Sequence, residues 1–314
     1  MIYAELTGGL GNQMFVYAFA RALGLRCGEP VTLLDRQDWR EGAPAHTRCG
    51  LEALCISPEV AICGEPAFAK HHLPLQNAAK TLMIKREQRG GMQNRDWRPF
   101  EARMAPLLNR LGLHFVTEGY IPARRGRLPR DFLAWGYFQA EGYFADQAPA
   151  IRRELRTRGP LSPEGAAFAD VIRASACPVC LHWRCGDYRR PENAALQVCT
   201  PAYYAAACRR VARELPGAEL FLFSDEPDWA MAHLDPAGLP VHPAAPHSAA
   251  EDLALMQLCR HFILSNSTFS WWAQYLGDFP GKRVFAPGRW YANGKVSSLL
   301  EGASSWEIVR DREG

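Results

Sequence analysis

The sequence predicts an α/β chain with mostly parallel, doubly wound sheets. Three observations carry this. From residue 161 onward, short β-type runs alternate with stretches of helical periodicity. The same strand–loop–helix–strand order opens the chain. Three polar clusters fall where predicted strands end, and in an open α/β sheet that is where ligands bind.

The elements follow in order. "IYAEL" (2–6) is a short β-type run. "GGLGN" follows as a loop, and "QMFVYAFARALGLRCG" (13–28) places apolar residues at helical spacing and ends on Gly28. "VTLL" (31–34) is a second strand closed by Asp35. From about residue 40 to 135, Gly, Pro and charge mix, as in "KREQRGGMQNRDWRPF" (85–100) and "PARRGRLPR" (122–130), and few elements can be assigned. "RTRGPLSPEG" (156–165) is a connection. Beyond it Ser162 caps a helix that has Pro163 at its first position and Glu164 in its first turn. "PVCLHWR" (178–184) is a strand, and "TPAYYAAACRRVAREL" (200–215) a helix with Thr200 as N-cap. "LFLFSD" (220–225) is a strand, "AEDLALMQLCR" (250–260) a helix and "HFILSN" (261–266) a strand. "TFSWWAQYL" (268–276) is a helix and "KRVFAP" (282–287) a strand. Right-handed crossovers between such units give two α/β halves, residues 1–158 and 159–314.

The totals narrow the class. At 314 residues, 48% hydrophobic and 22% charged, the chain has enough apolar mass for two domains without disulfide staples. A formal net charge of +3 excludes nothing. Lysine occurs only at Lys70, Lys80, Lys85, Lys282 and Lys295. The arginine bias suits phosphate recognition, but it also tracks genome composition and carries no function alone. The opening "MIYAELTGGLGNQ" has no basic n-region, apolar h-region or cleavage site. No run of about 18 apolar residues occurs. The ten cysteines are therefore read as small core residues of a reduced, cytoplasmic protein, with no nucleic acid as partner and room only for peripheral membrane contact.

In the first cluster, Gly9 and Gly11 follow a strand and Asp35 closes the next, as in a dinucleotide fingerprint. Met14 stands where the third glycine belongs, so NAD is the weaker reading. A tight turn that merely needs glycine is one alternative. Asn12 and Gln13 facing a ligand from a helix start is another.

The second cluster is "CLHWRCGDYRRP" (180–191). Cys177, Cys180, His182 and Cys185 are residue types of a zinc site. Strand alternation, however, sends Cys180, His182 and Arg184 to one face and Cys177 and Cys185 to the other, whereas a tetrahedral site needs convergent ligands. Arg184 suits a bidentate diphosphate contact. For Asp187, a buried pair with Arg184 that shapes the loop is as good a reading as a catalytic role.

The third cluster is "LSNSTFSWW" (264–272), where a strand gives way to a helix start with free N–H groups and hydroxyls. This is an anion site, or plain N-capping by Ser267 or Thr268. A further candidate, Ser224 and Asp225 in "FSDEPDWA" (223–230), either receives donors from a base or ribose or caps the next helix. It is not an Asp-x-Asp pair that would hold a metal–diphosphate complex.

In this order "GGLGNQMFVYAFARAL" (8–23), "GYFQAEGYF" (136–144), "HWRCGDY" (182–188), "LFLFSDEPDW" (220–229), "LCRHFILSNSTFSWWAQYL" (258–276) and "APGRWY" (286–291) resemble the motifs of the bacterial α-1,2-fucosyltransferases, glycosyltransferase family 11. The resemblance implies a GT-B-like fold, two Rossmann-type domains facing across a cleft. The second would hold GDP-fucose and the first would contribute the acceptor side. It implies inverting transfer of L-fucose to the 2-hydroxyl of a β-galactoside, with no cofactor and no required divalent metal. It places Arg184 at the diphosphate, Asp225 near the guanine with Ser224, and Asn266, Ser267, Thr268 and Phe269 around the phosphates. Gly9, Asn12 and Gln13 would line the donor cleft. Arg184 and the helix start would stabilise the departing GDP, with Asp187 and His182 the candidate bases. The family's motif usually carries a second arginine where this chain has Cys185, and Arg189 or Arg190 is the candidate replacement. The other classes left open are an NAD-dependent oxidoreductase and a non-catalytic nucleotide-sugar or glycan-binding protein.

Overall fold

The computed structural model describes residues 1–35, 49–64, 72–89, 96–123, 126–295, 297–301 and 305–310. Parts of the unassigned middle, 36–48, 65–71, 90–95 and 124–125, lie outside the described residues. The chain forms two compact units, Met1–Arg156 and Thr157–Gly314. Each is a parallel sheet flanked by helices, the α/β architecture the sequence predicts.

In the first unit the sheet order is β3-β2-β1-β5-β4, formed by β1 (Ile2–Glu5), β2 (Val31–Leu34), β3 (Val60–Cys63), β4 (Leu113–Val116) and β5 (Phe132–Gly136). Every pair is parallel. Helix α1 (Leu10–Cys27) packs on β1 with thirteen of its eighteen residues buried. It begins three residues before the expected helix, because Gly9 is its N-cap and "LGN" is its first turn. Tyr17 on this helix donates to Glu154 Oε2 at 2.6 Å and accepts from the Ser57 N–H at 2.9 Å. The short α4 (Ala148–Glu154) is thereby tied to α1. Helices α2 (Pro74–Arg89) and α3 (Arg98–Arg110) complete the unit, and a second apolar cluster gathers Leu73, Met83 and Leu108 around Phe115 and Leu133.

The second unit holds β6 (Cys177–Trp183), β7 (Ala218–Ser224), β8 (Val241–Pro243), β9 (His261–Ile263), β10 (Val284–Pro287) and β11 (Glu307–Val309) in the order β11-β10-β9-β6-β7-β8. Counted from β6 this is the 3-2-1-4-5-6 order of a Rossmann sheet. Its helices are α5 (Pro163–Ala174), α6 (Pro201–Glu214), α7 (Pro227–His233), α8 (Ala249–Met256), α9 (Thr268–Leu276) and α10 (Ser298–Glu301). Ser162 caps α5 through the Gly165 N–H and Thr200 caps α6 through the Tyr203 N–H, as the sequence predicts. Strand β6 shows the expected alternation. Val179, Leu181, Trp183 and Cys185 enter the apolar core with Tyr203, Tyr204 and Val211 of α6. From the opposite face His182 reaches Ser270 of α9. Trp183 stacks on Tyr204 at 4.0 Å. Among the described residues no helix is long and apolar enough to cross a membrane.

Candidate functional site

In the second unit the strand order reverses between β6 and β9, so the crevice at their carboxyl ends is the place where such a sheet binds ligands. Leu181 pairs with Ile263, which brings the chain just after β6 level with the chain just after β9. Two of the three predicted clusters therefore meet at one point. Tyr188 makes the join, donating its hydroxyl to the Asn266 carbonyl at 3.1 Å.

Arg184 is the centre of the arrangement. Its Nε and one terminal nitrogen donate to Asp187 Oδ1 at 3.0 and 2.6 Å. The other terminal nitrogen lies 3.1 Å from Asp225 Oδ2. Burial alone would lower the guanidinium pKa, but the Asp225 and Asp187 carboxylates overcome that and raise it, so Arg184 is a fixed cation. Asp225 also accepts the Cys185 backbone N–H through Oδ1 at 2.8 Å. Both of its oxygens are thus engaged in closing the loop after β6. Gly186 is required by this closeness, since a Cβ there would stand 2.3 Å from Asp225 Oδ2. Asp187 takes part in the ion pair expected of it, and its carbonyl accepts from Asn193 Nδ2 at 2.8 Å. Ser224 accepts the Glu226 N–H at 3.1 Å and donates to Cys185 Sγ at 3.6 Å.

His182 is 7% exposed and its Nδ1 bonds Ser270 Oγ. Burial, with the nearby Arg184 charge, holds its pKa down at about 3. The imidazole is neutral at any working pH and a weak base. Its ring lies 5.7 Å from Phe269.

Asn266 is fully buried and donates its amide to the Leu196 and Trp290 carbonyls at 3.0 and 2.9 Å, which ties two distant loops to the end of β9. Ser267 is the N-cap of α9, accepting the Phe269 N–H at 3.2 Å. Thr268 opens that helix. So the capping reading holds for Ser267, and the helix start still points its amides to the carboxyl side of the sheet, where an anion is favoured.

Cys185 is 1% exposed, and burial pushes its thiol up to about 11. It is an inert core residue at neutral pH. Beside it opens a pocket of about 310 Å³ whose lining includes Arg184, Cys185, Tyr188, Arg189, Trp229 and Asn266. Arg189 lies 4.2 Å over the Trp229 ring and pairs with Glu226 at 2.5 Å. Trp229 and Gln197 were not singled out from sequence. Trp229 falls inside the quoted "LFLFSDEPDW" but carries no role there, and Gln197 lies in a loop without a motif.

In the first unit the order reverses between β1 and β5, and the "GGLGN" and "GYFQ" motifs meet there. Gln139 Nε2 donates to Asn12 Oδ1 at 2.9 Å. Gln13, expected to face a ligand, is instead fully buried. Its Nε2 donates to the Gly8 carbonyl and its Oε1 accepts the Gly50 N–H, each at 2.9 Å, so it stitches two loops together. Gly9 serves as the α1 N-cap, with extended backbone.

Comparison with known proteins gives this geometry a context. The profile of the family described as Glycosyl transferase family 11 matches residues 124–296. The chain is 26% identical over 324 aligned positions to the O-antigen biosynthesis glycosyltransferase WbnK of Escherichia coli, covering 97% of this chain and 99% of that protein. It is 25% identical to an alpha-1,2-colitosyltransferase of Escherichia coli, covering 98% of each. Among solved structures, the fucosyltransferase NodZ from Bradyrhizobium aligns over 87% of this chain and 92% of its own at 16% identity, with a TM-score of 0.47.

Proposed function

The chain belongs to glycosyl transferase family 11, and on that premise we propose that this glycosyltransferase moves L-fucose from GDP-fucose to the 2-hydroxyl of a β-galactoside, with inversion. The observation that carries the reading is Arg184, a permanent cation held at the switch point of a Rossmann sheet beside the start of α9. Family membership weighs against the NAD-dependent oxidoreductase, and GDP release in the assay below separates transfer from a non-catalytic binding protein.

In the reaction the bond between the fucose anomeric carbon and the β-phosphate oxygen breaks while the acceptor oxygen attacks the opposite face. Negative charge grows on GDP. Arg184 and the positive dipole end of α9 stabilise it, a contribution that grows toward the transition state and so speeds the chemical step. The fork is held at rest by Asp187 and Asp225, so its position is set before the substrate arrives. Asp225, Ser224 and Asn266 fix the loops that carry these donors, and Thr268 and Phe269 flank the phosphates from α9. Arg189, which lines the pocket beside Cys185 and rests on Glu226, is the nearer candidate, with Arg190 the other, for the positive charge of the family's second arginine. With these charges on GDP, no divalent metal is assigned to the reaction. The acceptor proton passes to a carboxylate or to water, since a neutral imidazole with a pKa of about 3 takes protons poorly. Asp187, on the loop after β6, is the candidate carboxylate, and His182 acts as a fixed neutral partner of Ser270.

The test is GDP release from GDP-fucose with lactose as acceptor, with and without EDTA, and with the product linkage read by NMR. An α-1,2-fucosyl product formed undiminished in EDTA is expected. No GDP release, or release that needs added Mn²⁺, overturns the corresponding half of the proposal. Similarity to an alpha-1,2-colitosyltransferase makes the colitosyl donor the competing arm of the same assay.

A further inference from the structure

Resting on that glycosyl-transfer reading, we propose that Tyr137 is the platform on which the pyranose ring of the acceptor glycan stacks, with Gln139 and Asn12 as the polar edge beside it. Tyr137 is 40% exposed, and it directly follows β5 at the point where the first sheet changes direction. It has no hydrogen bond, ion pair or ring contact within the described residues. The loop around it is nevertheless held hard on both sides.

On the near side is Gly136, with φ of 149°. A Cβ there would stand 1.8 Å from the Val116 carbonyl oxygen, so no other residue fits. On the far side Phe138 has φ of 51°, a left-handed conformation that a bulky aromatic residue adopts only under compulsion. The compulsion is packing. Phe138 is 1% exposed and stacks on Phe19 at 4.0 Å, with Tyr143 edge-on at 5.6 Å. Gln139 then anchors to Asn12. Such strain concentrates where a backbone must present a particular group. What this backbone presents to solvent is the side chain of Tyr137.

An exposed, rigidly mounted aromatic ring two residues from Gln139, whose amide is anchored to Asn12, is suited to a sugar. A β-galactoside has one face made of C–H groups, which lies flat on an aromatic ring, and hydroxyls around its rim that amides can bind. A few well-placed polar groups on an apolar surface fix orientation in this way. Tyrosine offers that area with only two torsions to freeze. Tyr120, the other exposed tyrosine nearby, differs in kind. Its ring already lies on Gly142 and 4.8 Å from the Tyr143 ring.

The experiment is saturation-transfer NMR of lactose with the full chain in the presence of GDP, run on wild type, Tyr137→Phe and Tyr137→Ala. Wild type and Tyr137→Phe should saturate the galactose protons. Tyr137→Ala should bind lactose about tenfold more weakly or worse, with GDP affinity and melting temperature unchanged. If the alanine variant folds poorly, Tyr137→Gln, which keeps bulk without a ring, is read the same way. Equal lactose binding by the ringless variant, or none by wild type, overturns the proposal. Lactose binding needs no fucose, so the two readings separate. A wild type that binds lactose through Tyr137 but releases no GDP from GDP-fucose sinks the transfer reading alone.

Discussion

Replacing Arg184 by lysine keeps a charge and discards the fork that reaches Asp187 on one side and Asp225 on the other. A lysine ammonium satisfies one of these carboxylates and leaves the other uncompensated where the proposed function docks the phosphates. Turnover of Arg184→Lys should fall by about two orders of magnitude, measured as kcat with saturating GDP-fucose and lactose. Near-normal turnover would make Arg184 a loop brace and nothing more. Cys185 is the opposite case. Its thiol is buried in the core behind β6, and burial pushes its pKa up to about 11, so little thiolate is present at neutral pH. Cys185→Ser should therefore keep most GDP affinity and transfer activity, and loss of transfer in a folded variant would show that the sulfur has a task. Both expectations were legible in the sequence because alternation along a strand assigns faces without any structure. The pairing of Asp225 with the Cys185 amide was not legible, since it joins residues forty apart through a contact that no local pattern encodes.

Elements were readable where local chemistry and burial agree. The strand at 31–34, the caps Ser162 and Thr200, and the helix at 268–276 stand where expected. Helix α2 was missed because its burial inverts the usual pattern. Leu75 and Leu82 are 55% and 70% exposed, while Lys80 and Glu87 are buried, Lys80 paired with Glu5 of β1 at 2.5 Å. An ion pair between distant segments overrides the periodicity on which sequence reading depends. Strand β4 was missed for a related reason, since it carries a fully buried histidine. His114 stacks against Phe19 and Phe138 at 5.5 and 5.9 Å, and burial holds its pKa at about 4 against an ordinary 6.5. Above pH 6.5 both the folded and unfolded forms are neutral, and His114 costs nothing. As pH falls from 6.5 toward 4, the unfolded chain takes up a proton that the folded chain refuses, and stability drops by up to about 3 kcal/mol. His114→Phe keeps the ring and removes the proton site. Its stability to urea at pH 4.5 relative to pH 7 should decline less than that of wild type. Parallel declines would show that His114 is not a source of the acid sensitivity.

At the scale of the molecule, each unit has its own sheet and its own apolar cluster, and the proposed function assigns the donor chemistry to the second. A chain of residues 157–314 alone should bind GDP within about tenfold of the full protein while transferring nothing, measured by calorimetry and by GDP release. A much weaker complex would assign part of the nucleotide site to the Gly9 loop. The strand pairing has a different consequence, one for synthesis. All the strand pairs described are parallel, so no hairpin closes any of them. Strand β1 sits at the centre of its sheet, yet one of its two neighbours is β5, with Ile2 opposite Phe132. On a ribosome adding about 5–20 residues per second, that edge of β1 waits on the order of ten seconds for its partner. During that wait its amides and carbonyls are an open template, and strands from other chains compete for it. The expression yield of this protein should therefore respond to translation speed and to chaperones that hold nascent chains, independently of how stable the finished sheet is.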